Sequence, residues 1–253
     1  MLTVLYALLY YAAFIIFIGG TAYRIWGYWK TPAPAVIPTT PAPITRTGVV
    51  WRMFKEVALF ESLWKSNKWI WIFAMMFHLS LWLIIVRHIR YFIDPVWTLV
   101  VLAQPFGKYA GFFFVLGGLG LLARRMLVSR VNYISAPSDY LMLLMFIGIG
   151  LSGLTMTFVS KTDIVGVKAF FLGLMTFNWQ PLPTDVMLLT HLALVAIFMI
   201  IFPFSKLVHA PGVFFSPTRN MTDTPREKFR PVPWLPPVSE VEFDPPHGAK
   251  KKG

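Results

Sequence analysis

The sequence predicts an all-α integral membrane protein, a bundle of five transmembrane helices with the N-terminus outside and the C-terminus in the cytoplasm. Three observations carry this expectation. Of 253 residues, 57% are hydrophobic and only 13% charged, less charge than a soluble domain of this length carries. Five stretches are apolar over the roughly 20 residues that a helix needs to cross about 30 Å of hydrocarbon. With the N-terminus outside, eighteen of the 23 Lys and Arg fall on the inner side, where basic residues accumulate. Neither strand-like alternation nor an internal repeat interrupts the pattern.

The first stretch, Leu2 to Tyr23, is uncharged. A cleaved signal peptide opens on a basic region and closes on a small-residue cleavage site; neither is evident here, so a retained helix is expected. Residues 24–68 form a cytoplasmic loop. It begins with TPAPAVIPTTPAP, a composition that favours extended polyproline-like chain. It continues as VVWRMFKEVALFESLWKSNK, where Trp51, Phe54, Leu59, Phe60, Leu63 and Trp64 stand among charges. That pattern suits a helix in the headgroup plane, and equally one packed on the inner ends of the bundle or one that docks a peripheral partner. The second span is expected over Trp69 to Ile93, the third over about Tyr109 to Ala123 with a start that can lie earlier, the fourth over Tyr140 to Val159, and the fifth over Val186 to Val208. Residues 1–211 are thus a membrane domain. Residues 212–253 are a proline-rich cytoplasmic tail, too polar to pack alone and expected to be disordered or ordered by a partner.

The chain has no cysteine, which excludes iron–sulfur clusters, covalently attached haem and disulfides. If it moves electrons, it uses a non-covalent cofactor and hands over to another chain. The net charge of +12 sits beside the apolar spans, as an orientation signal does, rather than in a nucleic-acid-binding patch.

Four histidines lie at membrane depth: His78 and His88 in FHLSLWLIIVRH on the second span, and His191 and His209 in HLALVAIFMIIFPFSKLVH on the fifth. Such residues are costly in hydrocarbon and usually face the bundle interior with a partner. The two spans run antiparallel, so His88 pairs with His191 toward the outer face and His78 with His209 toward the cytoplasm. Bis-imidazole ligation of two haems is the leading explanation. Hydrogen bonds to neighbouring helices, a proton relay in a non-haem proton-coupled transporter, and a structural membrane anchor are the alternatives. Zinc fits less well, since two imidazoles per level leave a tetrahedral site short of ligands. One difficulty stands: on ideal helices His191 and His209 are about 27 Å apart along the axis, against about 15 Å for His78 and His88. A kink at Pro203, which lacks an N–H, absorbs part of that. His247, in the polar tail, is expected to be solvated.

The segment HLALVAIFMIIFPFSKLVHAP, with its FPFSxLVH box, and the FH...H pair ten apart on the second span resemble the respiratory nitrate reductase γ-subunit family of dihaem cytochromes b. The resemblance covers about Leu2 to Pro211. It implies that His78 and His209 hold a cytoplasm-proximal haem b, that His88 and His191 hold a distal one, and that a quinone (menaquinone or ubiquinone) binds beside the distal haem. The family's quinol-site lysine, twenty positions after the distal histidine, corresponds to Lys108 in QPFGKYAGFFF. Lys108 is equally suited to snorkel at a helix end. Arg87, Arg90, Arg124, Arg125 and Lys206 are candidates to pair with haem propionates, or are simply interfacial charge. Asp94 and Asp185 suit outward proton transfer or helix capping. The long first loop departs from nitrate reductase γ-subunits. The run LFESLWKSNKWIW looks like the M subunit of the sulfite-reduction-associated Dsr complex, a branch of the same superfamily. That branch implies a multi-subunit complex in a prokaryotic inner membrane, with a cytoplasmic iron–sulfur subunit related to heterodisulfide reductase. The chain is then the electron-transfer subunit of a quinol/quinone oxidoreductase in respiration and sulfur metabolism, with the γ-subunit of nitrate reductase as the alternative.

Overall fold

The computed structural model describes residues 1–32 and 41–223. Most of the proline-rich run of the first loop, the tail beyond Asp223 and His247 lie outside these residues. The described chain is helical, and five of its helices are long and apolar enough to span a membrane.

Helix α1 (Leu2–Lys30) runs seven residues beyond the expected end. The loop that follows carries α2 (Arg46–Leu59), whose N-cap Thr45 accepts from the Gly48 N–H, and the short α3 (Glu61–Ser66). Phe60 separates them with a positive φ of 51°, so the expected surface helix is two helices with a sharp bend. Glu61 bridges the bend, bound to Lys55 and Lys65 at 2.8 Å each. These hydrogen bonds, Lys55 first, lower its pKa to about 2 from the ordinary 4.5.

Helix α4 (Lys68–His88) is capped by Asn67 and continues as a 3₁₀ turn through Tyr91. Helix α5 (Thr98–Leu127) begins eleven residues before Tyr109 and carries Pro105 inside it. The polar and helix-breaking residues Gln104, Pro105 and Lys108 concealed that start. Gln104 is nonetheless accommodated, since its side chain bonds Arg90 at 3.0 Å and the Val100 carbonyl at 3.1 Å. Helices α4 and α5 approach closely: a Cβ at Gly117 would lie 2.9 Å from the Phe77 nitrogen, and one at Gly107 2.8 Å from the Arg87 Cβ. A short α6 (Ser129–Tyr133) leads to α7 (Pro137–Thr155), which ends in a π-helical turn, Met156–Ser160.

Helix α8 (Ile164–Met175) is apolar but only 12 residues long, too short to span. It buries Phe170 and Phe171 in a core shared with α1 and with α9 (Val186–Ile201). Helix α1 is fixed to α9 by Tyr6 and Tyr10, whose hydroxyls donate to the carbonyls of Leu189 and Leu192. A second core joins Phe77, Phe114 and Phe146 of α4, α5 and α7. Beyond α9 come the 3₁₀ turns Phe202–Phe204 and Lys206–Val208, then α10 (His209–Gly212) and α11 (Pro217–Asn220). The start of the tail is therefore ordered by the chain's own first loop: Arg219 of α11 bonds Ser62 at 2.7 Å and pairs with Glu56.

Candidate functional site

The helices bring the four histidines together as two pairs. The rings of His78 and His209 have centroids 6.3 Å apart, and so do those of His88 and His191. The first pair is nearly perpendicular, at 83°; the second is nearly parallel, at 13°.

The axial mismatch is reduced because His209 does not lie on the fifth helix. The ladder of α9 ends at Ile201, and Ser205 is fully extended at φ −102°, ψ 173°. From His191 to the end of the 3₁₀ turn at Phe204 the rise is about 21 Å, less than the roughly 27 Å of an unbroken helix to His209. The broken segment then carries His209 across to His78 instead of farther along the axis. Pro203 begins the break. It packs against α1 at Gly20, where a Cβ would come within 2.7 Å of the proline ring, and its carbonyl accepts from Arg24 Nε at 3.0 Å.

Each imidazole is oriented in the same chemical sense. Nδ1 of His78 meets the Ala74 carbonyl at 2.8 Å, that of His88 the Ile84 carbonyl at 2.7 Å, and that of His209 the Lys206 carbonyl at 3.0 Å. Nδ1 of His191 meets the Ile149 carbonyl at 3.1 Å and the Ser152 hydroxyl at 2.9 Å, both from α7. A carbonyl only accepts, so Nδ1 carries the proton at all four and Nε2 keeps its lone pair. This is how metal-binding histidines are held, with the second nitrogen donating to a fixed acceptor. Centroids 6.3 Å apart leave room for one metal ion between the two rings of each pair at metal–imidazole bonds of about 2.0–2.1 Å. The donor set therefore fits an iron between each pair. Among the described residues no group of three or more His, Cys, Asp or Glu gathers to hold a metal, so His78 with His209, and His88 with His191, would hold a haem iron as pairs of imidazole donors.

The surroundings of the pairs were largely invisible in the sequence. Ser152 and Ile149 belong to a span with no histidine, and only the small, polar SG within an apolar run marks the place. Phe60, at the bend of the loop, sets its ring edge-on to His78 at 5.0 Å. Tyr91 lies 5.8 Å from His88 and is bonded by Arg90, which also bonds Gln104.

The basic candidates divide between the two ends of the bundle. Arg87 and Arg90 stand beside His88. At the other end Arg125 and Lys206 both engage Asp139, at 3.4 and 2.7 Å, while the Arg124 side chain forms no hydrogen bond or ion pair with a described residue. Lys108 is exposed, with its Nζ over the rings of Phe158 and Tyr109 at 5.3 and 5.8 Å. Asp185 caps α9 through the Met187 N–H at 3.1 Å, and Asp94 pairs with Lys168 at 2.7 Å.

Known proteins accord with this architecture. Residues 36–226 match the family model described as nitrate reductase gamma subunit. A protein of Archaeoglobus fulgidus named Hdr-like menaquinol oxidoreductase cytochrome b-like subunit is 33% identical over 89% of this chain and 82% of its own length. Its namesake in Archaeoglobus profundus is 34% identical over 89% of this chain and 81% of its own. With five membrane-spanning helices and a match over most of its length, the chain belongs to the nitrate reductase gamma subunit family.

Proposed function

We propose that this chain is the dihaem cytochrome b subunit of a membrane quinol oxidoreductase complex, exchanging electrons between the quinone pool and a cytoplasmic iron–sulfur subunit related to heterodisulfide reductase. One observation carries the reading: two histidine pairs, each with centroids 6.3 Å apart, whose four Nδ1 atoms are all committed to carbonyl acceptors. His78 and His209 hold the cytoplasm-proximal haem b, and His88 and His191 the distal one. When bound, the haems supply one-electron carriers at two depths of the bilayer.

The chain's own residues supply orientation and charge. The positive-inside distribution puts the His78–His209 end in the cytoplasm, where α2, α3 and α11 form a layer that the partner subunit can meet. Arg87 and Arg90 at the outer end and Arg124 at the inner end are the cations for haem propionates, whereas the inner-end candidates Arg125 and Lys206 are engaged by Asp139. Lys108 donates a hydrogen bond to a quinone oxygen near the distal site. The names of the two Archaeoglobus relatives support menaquinol as the quinol and an Hdr-like complex as the assembly, in the inner membrane of a prokaryote and in the service of sulfur metabolism.

The test is a reduced-minus-oxidised spectrum of the purified protein with haem extraction. A b-type spectrum and two haems per chain are expected; a folded, colourless preparation rejects the reading.

A further inference from the structure

Asp139 lies in the first turn of α7, distant in sequence from every histidine, and its side chain is only 7% exposed. Its Oδ2 accepts from Lys206 Nζ at 2.7 Å, from Arg125 Nη1 at 3.4 Å and from the Ala136 N–H at 3.1 Å. The carboxylate thus ties three pieces together: the last turn of α5, the start of α7 and the broken segment after α9. Lys206 is the link to the site. Its ammonium sits on Asp139 while its own carbonyl accepts the Nδ1–H of His209 at 3.0 Å.

The three other histidines take their places from regular helix. His78 and His88 bond carbonyls one turn back on α4, and His191 is set by the α7–α9 packing. His209 follows an extended residue and a single 3₁₀ turn, so no continuous ladder fixes its depth. We propose that Asp139 is a positioning residue for His209. Through Lys206 it holds the carbonyl that orients this imidazole, and so sets where the His78–His209 pair can take its haem. The proposal rests on the reading of that pair as haem ligands.

The experiment compares full-length variants by haem per chain and by optical redox titration, which resolves the two haems within one molecule. Asp139→Asn is expected to lose the same haem as His209→Ala while the other titrates as in the wild type. Lys206→Met removes a side chain that is 70% exposed and leaves no cavity, so it keeps the test decisive if Asp139→Asn does not fold. It is expected to weaken retention of that haem about ten-fold, the scale of lost outer-shell partners, and Lys206→Arg is expected to restore it. The double variant Asp139→Asn/Lys206→Met should be no worse than Asp139→Asn alone, as for two members of one chain of contacts. Two haems at wild-type potentials in Asp139→Asn, or a Lys206→Met protein indistinguishable from wild type, overturns the proposal. A wild-type chain without haem rejects the underlying reading instead.

Discussion

The two histidine pairs share a spacing and differ in how they are built. His88 and His191 both sit on continuous helix, nearly parallel, and His191 is buried at 8% exposure with a serine and a carbonyl of α7 behind it. His78 is on helix too, but its exposed partner His209 stands on a broken segment, turned by 83° and fixed through charged side chains. One pair is set by packing, the other by a set of ionic and backbone tethers. Packed elements resist displacement because interiors are close to crystal density. Tethered segments depend on a few contacts that can be removed singly. The tethered pair is also the one touched by the loop, through Phe60.

The strongest way to break this contrast is to remove a ligand from each pair. His209→Ala and His191→Ala should each lower the haem count from two to one per chain, with the surviving haem titrating normally. Loss of both haems in either variant would mean that the pairs are not independent. A smaller effect is expected of Lys108→Ala: slower haem reduction by quinol analogues with an unchanged spectrum, and unchanged kinetics would remove Lys108 from the quinone site. Ser152→Ala sharpens the comparison from the packed side. It removes the hydroxyl behind His191 but leaves the Ile149 carbonyl, so affinity for the distal haem should fall by no more than about ten-fold, the lower end for an outer-shell partner, with the proximal haem unaffected.

The smallest effect concerns the bend at Phe60. Because the pKa of Glu61 is lowered to about 2, its ion pairs are fully present above its unfolded value near 4.5 and are lost as pH falls toward 2. Hydrogen exchange at α2 and α3 should therefore rise through that window while the spans stay protected. Glu61→Gln should abolish the pH dependence.

Much of this arrangement is legible in the sequence because the membrane restricts what a chain can do. Five apolar stretches had to be helices, and antiparallel neighbours allow only one pairing of His78 and His88 with His191 and His209 by depth. What was illegible depended on contacts from elsewhere. Pro203 marks a possible kink, but whether the ladder resumes is decided by Gly20, Arg24 and Asp139, which hold the segment in its broken path. The third span is expected from about Tyr109 with a start that can lie earlier; the hydrogen bonds of Gln104 to Arg87, Arg90 and Val100 let it begin at Thr98. Helix α8 fell below spanning length, and no local signal tells that its Phe170 and Phe171 pack with α1 and α9. The first residues of the tail are polar, and nothing local announces that Arg219 will find Glu56 and Ser62.

The hydroxyls of Tyr6 and Tyr10 on the backbone of α9 bear on how the protein is made. Helix α1 is bonded to α9, and the two histidine pairs are likewise divided between α4 and the chain from α9 onward. A nascent chain stopped before His191 therefore has half of each ligand pair and an unpartnered α1. On the proposed reading, neither haem is secured until the segment after α9 is in place, so cofactor insertion reports on assembly of the described helices.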